Sequence, residues 1–92
     1  MKIKIIEYFW CVGHRTKRKG TYKLPLIEGK TLKPHFANLR IDKVEEDKVI
    51  VSFNRNDGTL IKELTVEKGK QCYYRPMSMD GGYEYVLKFT RL

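Results

Sequence analysis

Apolar and polar positions alternate with a period of two along most of this chain. The clearest case is the C-terminal end, where Tyr83, Tyr85, Leu87 and Phe89 alternate with Glu84, Val86, Lys88 and Thr90. Successive side chains of a strand point to opposite faces, so this spacing predicts a half-buried β-strand. A strand from about Gln71 to Met77 precedes it, and Ser78-Met79-Asp80-Gly81-Gly82 between the two offers an Asp and paired glycines for positive-φ turn positions. The two strands read as a hairpin. Val49, Val51 and Phe53 alternate with Lys48, Ile50 and Ser52, and Asn54-Arg55-Asn56-Asp57-Gly58 leads into a partner over 59 to 66, which predicts a second hairpin. Glu67-Lys68-Gly69-Lys70 joins the hairpins, with Gly69 available for a sharp reversal. Connections this short favour a meander.

Upstream, Leu39-Arg40-Ile41-Asp42-Lys43-Val44 alternates too and reads as a strand rather than a helix, with Glu45-Glu46-Asp47 as its turn. At the N-terminus Ile3 and Ile5 share one parity, whereas Ile6, Tyr8, Trp10 and Val12 share the other. A bulge near Glu7, or a strand covered on both faces, accounts for the change. Tyr22, Leu24 and Leu26 mark another short strand in which Pro25 removes a ladder donor, placing it at an edge or a bulge. The segment 28 to 35, with Gly29 and Pro34, reads as a loop. About seven short antiparallel strands, mostly hairpin-connected and without a long amphipathic helix between them, predict an all-β single domain over 1–92. A β-sandwich and a small closed β-barrel both satisfy the pattern.

Composition narrows the function classes more than the fold. The 92 residues leave room for one modest core and exclude separate cofactor and substrate domains, while 41% hydrophobic content is too rich for a disordered polyelectrolyte. Met1-Lys2-Ile3-Lys4-Ile5-Ile6-Glu7 is basic at its head, but Glu7 breaks the apolar run and no small-residue cleavage site follows, so a signal peptide is not expected. No stretch approaches the roughly 18 to 20 apolar residues of a membrane span. The expected compartment is the cytoplasm, where Cys11 and Cys72 stay free thiols.

The net charge of +8 is unevenly spread: residues 13 to 35 hold seven lysines and arginines against Glu28 alone, whereas residues 36 to 92 are almost balanced. His14-Arg15-Thr16-Lys17-Arg18-Lys19-Gly20 follows the first strand and is expected to form its protruding tip, with Lys23 just beyond. A cationic tip neutralises phosphates or acidic side chains, although a solvated turn needs polar residues for solubility alone. The second dense patch is Gln71-Cys72-Tyr73-Tyr74-Arg75-Pro76-Met77, in which strand alternation forces one of the two tyrosines outward beside Arg75. Its aromatic residues serve cross-strand packing equally well.

Signatures of chemistry are weak by comparison. Cys11-Val12-Gly13-His14, with His35 and Cys72, supplies ligands that zinc accepts, but His35 and Cys72 are isolated rather than paired, so no metal site is assigned. A Cys–His nucleophile pair lacks anything to order it, and Glu45, Glu46 and Asp47 read as solvated turn acids. No P-loop or other cofactor motif occurs, and no cofactor is expected. An enzyme would require a pocket holding Glu7, His14, His35 or a cysteine in mutual hydrogen-bond reach.

By elimination the chain reads as a small non-catalytic binding module. It contacts an acidic protein partner through His14, Arg15, Lys17, Arg18, Lys19 and Lys23 and the strand Tyr73, Tyr74 and Arg75. The alternative is nucleic-acid binding through an OB-like or SH3-like barrel, which requires basic and aromatic residues to converge on one sheet face. A third option is a small enzyme whose site is not recognisable in the sequence. Self-association through an edge strand, near Pro25 or at the C-terminal strand, is a further expectation.

Overall fold

The computed structural model describes residues 1 to 76 and 78 to 91, and the Met77 end of the expected strand lies outside them. Eight strands form: β1 (Lys2–Cys11), β2 (Lys17–Pro25), β3 (Thr31–Leu32), β4 (Asn38–Val44), β5 (Lys48–Asn54), β6 (Leu60–Glu67), β7 (Cys72–Tyr74) and β8 (Gly81–Thr90). They build two antiparallel four-stranded sheets, the first in the order β2-β1-β8-β7 and the second in the order β3-β4-β5-β6. The fold is therefore all-β, as the alternation predicts, with the extra strand β3 inside the segment expected to be loop. The Ile41 amide donates to the Lys30 carbonyl at 2.9 Å and the Gly29 amide donates to the Ile41 carbonyl at 2.8 Å, which draws this short segment onto β4.

The inward parity of each strand supplies the core between the sheets. Ile3, Ile5, Tyr85 and Leu87 from the first sheet meet Leu39, Ile41, Val49, Val51, Phe53 and Val66 from the second, all fully buried. Phe53 lies at the centre, with ring centroids 4.9 Å from Tyr85 and 5.2 Å from Tyr74. Aromatic pairs at such distances add stabilisation beyond the area they bury.

The connections depart from a continuous meander. The chain crosses between sheets after β2 and again between β6 and β7, where Gly69 takes the positive φ of 84° that the reversal needs. A single meander would leave the apolar face of each hairpin in water, and crossing lets one sheet cover the other. The C-terminal strand β8 consequently lies between β1 and β7, so it is not an edge available for self-association, whereas β2 with Pro25 is an edge, one of the two placements, edge or bulge, that Pro25 allows.

Two local expectations change as well. The bulge near Glu7 is carried by the partner strand: Glu7 faces Gly20 and Tyr8 faces Arg18, which leaves Lys19 as the extra residue of β2, while β1 and β8 stay in continuous register. The paired glycines Gly81 and Gly82 do not take positive φ but open β8 opposite Cys11 and Trp10. A Cβ on Gly81 would stand 2.8 Å from the Trp10 carbonyl oxygen, so close backbone approach explains its identity. The two cysteines are free; Cys11 pairs with Gly81 and Cys72 with Leu87, six residues apart along β8 or roughly 20 Å at the rise of a strand. No helix among the described residues is long and apolar enough to cross a membrane.

Candidate anion-binding surface

Register across the first sheet assembles its outer face row by row. Lys4 of β1 stands between Lys23 of β2 and Lys88 of β8, so three lysines lie side by side on adjacent strands. The next outward row is Thr21, Ile6, Val86 and Tyr73, and the one beyond is Arg18, Tyr8 and Glu84 with Arg75 beside them. Trp10 follows, opposite Gly82. Cross-strand neighbours lie about 4.5 to 5.5 Å apart, and like charges directly opposite one another destabilise a sheet. Among the described residues none of Lys4, Lys23 and Lys88 forms an ion pair, nor do Arg15, Lys17, Arg18 and Lys19. The second sheet and its turns behave differently, pairing Arg40 with Asp42, Lys43 and Lys48 with Glu45, and Lys70 with Glu67.

Aromatic residues reach this face because uninterrupted alternation in β1 sends Tyr8 and Trp10 outward and Ile3, Ile5 and Glu7 inward, and the extra residue Lys19 in β2 brings Arg18 onto the face beside Tyr8. The Arg75 guanidinium stands 4.5 Å above the Trp10 ring and that of Arg18 stands 6.0 Å from the Tyr8 ring centre. Arg75 also donates to Glu84 from Nε (3.0 Å) and Nη2 (2.9 Å), and the Tyr73 hydroxyl donates to the same carboxylate oxygen. That hydrogen bond raises the Tyr73 pKa, with burial adding to it. Tyr73 is more than half exposed, which meets the expectation that one tyrosine of the pair faces outward. Tyr74 turns inward against Phe53 and Phe36 and belongs to the core rather than the surface.

The basic segment does not protrude as a loop over 14 to 20. Lys17, Arg18, Lys19 and Gly20 are strand residues of β2, held by pairing with Glu7, Tyr8 and Phe9. Only a tight turn remains, in which the His14 amide donates to the Cys11 carbonyl at 3.0 Å and Gly13 takes φ of 81°. Pairing divides the cations between two faces: Arg18 and Lys23 join the outer face, while Lys17 is paired with Phe9 and Lys19 stands 5.8 Å from the Phe9 ring centre. Beneath the turn, His14, Arg15, Lys17 and Lys19 rim a cleft of about 270 Å³ floored by Phe9 and Cys11, with no acidic residue in its lining. A larger depression of about 570 Å³ lies on the second sheet, but its amides are committed to neighbours, Asn38 to Asn56 and Asn54 to Ser52.

Of the residues named for catalysis or metal, Glu7 and His35 bond to each other. Glu7 is fully buried, and both its oxygens are occupied: Oε2 accepts from the Tyr85 hydroxyl (2.6 Å) and the His35 amide (2.8 Å), Oε1 from His35 Nδ1 (2.5 Å) and weakly from the Tyr22 hydroxyl (3.4 Å). Burial pushes the carboxyl pKa up, but the bonds from Tyr85 and His35 and the nearby imidazole outweigh it and hold the group below its usual value. Tyr85 is driven the other way, its hydroxyl pKa raised by burial and by Glu7. With every lone pair engaged, the carboxylate anchors the segment preceding β4 to the first sheet rather than serving as a free base. Cys11 and His14 share the cleft below the turn, but His35 and Cys72 do not join them, and among the described residues no group of three His, Cys, Asp or Glu side chains is placed to hold a metal. Burial raises the Cys72 thiol pKa, which suppresses its thiolate.

Lys4, Lys88, Tyr8 and Trp10 were not singled out from the sequence as site residues. Parity alone marks Tyr8 and Trp10 as sharing a face, but bringing Lys4 between Lys23 and Lys88 requires the pairing of both neighbouring strands. Comparison with protein-family models, characterised proteins and solved structures finds no match, so the function is argued from the chemistry of this surface.

Proposed function

We propose that this protein is a non-catalytic binding module for an anionic macromolecule, and that single-stranded nucleic acid is the partner its outer sheet face fits best. The observation that carries the reading is the row Lys23, Lys4 and Lys88, three cations side by side that form no ion pair among the described residues, on the face that also presents Tyr8, Trp10, Tyr73, Arg18 and Arg75. Closely set lysines cost folding energy unless an anion lies against them, and a phosphate backbone supplies that anion along a line. Unpaired bases add planar faces that stack on aromatic rings and guanidinium groups, a combination that binds single strands with little regard to sequence. An acidic protein partner would use the same cations, and Tyr and Trp are frequent at protein interfaces too. Nucleic acid is favoured by the order of groups on the face, with a cation row at one end and stacking planes at the other.

The test is fluorescence anisotropy with labelled single-stranded RNA, single-stranded DNA, a DNA duplex and a poly-glutamate peptide, at about 50 and 200 mM salt. Single strands should bind most tightly and weaken steeply with salt. Lys4→Ala/Lys88→Ala should reduce both affinity and salt dependence, and Tyr73→Ala should weaken single strands more than duplex. Tighter binding of poly-glutamate than of any oligonucleotide would transfer the reading to an acidic protein, and no salt-dependent binding to any probe would reject it.

A further inference from the structure

The cleft under the β1–β2 turn is a second, separate feature of the same basic end. It is bounded by Phe9 and Cys11 of β1, His14 and Arg15 of the turn, and Lys17 and Lys19 of β2, and nothing from the second sheet lines it. Phe9 is half-buried and meets Tyr83 edge to face, ring centroids 5.3 Å apart. Three side chains of fixed positive charge and an imidazole thus converge on a small apolar floor. Among the described residues none of the three cations is neutralised by an ion pair.

A backbone phosphodiester carries a single negative charge and runs on in both directions, which suits an open face better than a recess. A phosphomonoester carries about −1.5 to −2 charges at neutral pH, presents three acceptor oxygens and ends the chain. We infer that the cleft rimmed by His14, Arg15, Lys17 and Lys19 is a binding site for the phosphomonoester of a nucleotide, with the attached sugar and base packing on Phe9. Charge-assisted hydrogen bonds from several donors to one phosphate are the strong class, and an apolar wall beside them lowers the local dielectric and strengthens each one. The same chemistry is offered by the phosphorylated end of a nucleic-acid strand and by a free mononucleotide. The strand-end form rests on the nucleic-acid reading above, whereas the mononucleotide form stands without it.

The experiment compares one oligonucleotide sequence bearing a 5′-phosphate, a 3′-phosphate or neither, together with AMP and adenosine as competitors. It is run on the native protein and on two variants, Lys17→Ala/Lys19→Ala and Arg15→Ala. The readout is the ratio of affinities for phosphorylated and unphosphorylated probes, because a general loss of positive charge lowers both and leaves the ratio unchanged. In the native protein a terminal phosphate should tighten binding by about tenfold or more, the scale of one or two charged hydrogen bonds. Both variants should bring the ratio close to one, and AMP should compete where adenosine does not. A ratio of one in the native protein, with unphosphorylated strands still bound, overturns the inference and leaves the nucleic-acid reading intact. A preference that survives both variants overturns it as well, since the phosphate would then sit elsewhere. AMP binding that is lost in the variants, with no oligonucleotide bound, upholds the site for a free nucleotide and rejects the nucleic-acid reading. Absence of binding by every probe rejects both.

Discussion

Glu7→Gln removes one charge from the centre of the fold while keeping the side chain's size, and its effect can be worked from the contacts. The carboxylate accepts three close hydrogen bonds, from Tyr85, the His35 amide and His35 Nδ1. Hydrogen bonds to a charged group contribute about 1.5 to 3 kcal/mol each, against about 1 for neutral ones. A glutamine retains one acceptor oxygen but turns an NH₂ toward donors on its other side, so at least one close bond is lost and the others weaken. The expected cost is about 2 to 4 kcal/mol, a large share of the roughly 5 to 14 kcal/mol that a chain of this length has in total. At about 4 to 8 °C per kcal/mol the melting temperature should fall by at least about 8 °C. The pH dependence supplies the sharper check. The Glu7 pKa is below its ordinary value of 4.5 in the folded protein, so its stabilisation is fully present above that value and is lost as pH falls through the folded pKa. The glutamine variant has no such group. Urea unfolding followed by the fluorescence of Trp10, the single tryptophan, should therefore show a wide gap between the two proteins at pH 7 that narrows toward pH 3. A gap below about 0.5 kcal/mol at neutral pH, or one that stays constant on acidification, would refute the anchoring role assigned to Glu7.

Three further outcomes follow from the surface and its supports. Lys4→Gln takes the middle charge from the lysine row and should stabilise the protein by about 0.2 to 1 kcal/mol while weakening oligonucleotide binding; a loss of stability would show that the lysines do not strain the sheet. Gly81→Ala forces a methyl group against the Trp10 carbonyl oxygen and should cost about 1 to 3 kcal/mol, measured by denaturant midpoint, with an unchanged midpoint as the contrary result. Arg75→Ala uncovers the Trp10 ring and takes the cationic partner from Glu84, so Trp10 emission should shift to the red and become more accessible to iodide; an unaltered spectrum would mean that the guanidinium does not cover the indole in solution.

Much of the fold is legible in the sequence because burial of one strand face leaves a period of two, and Tyr83 to Phe89 and Val49 to Phe53 carry it without interruption. Pro25 limits its strand to an edge or a bulge for an equally local reason, a missing donor. The turn at Gly69 is legible from a residue that tolerates positive φ, whereas Gly81 and Gly82 mislead, since their small size answers a close approach by β1 that no local pattern reveals. Of the candidate surface, the concentration of cations over 13 to 35 is readable, and so is the outward turn of one of Tyr73 and Tyr74, though not which of the two. The split of those cations into a face and a cleft is not, because it depends on the single extra residue Lys19 in a register set by the opposite strand.

By itself, then, the sequence determines the class of structure, the alternating faces of its clearest strands, the restriction of Pro25 to an edge or a bulge and the place along the chain where positive charge accumulates. These follow from propensities and alternation acting over a few residues. Only the tertiary structure decides that the chain crosses between two sheets, that β8 is an interior strand, that Glu7 is saturated by groups 15 to 78 positions away, and that Lys23, Lys4 and Lys88 stand in one row. Strand pairing joins residues by register rather than by distance along the chain, and that register is fixed by the packing of both sheets at once.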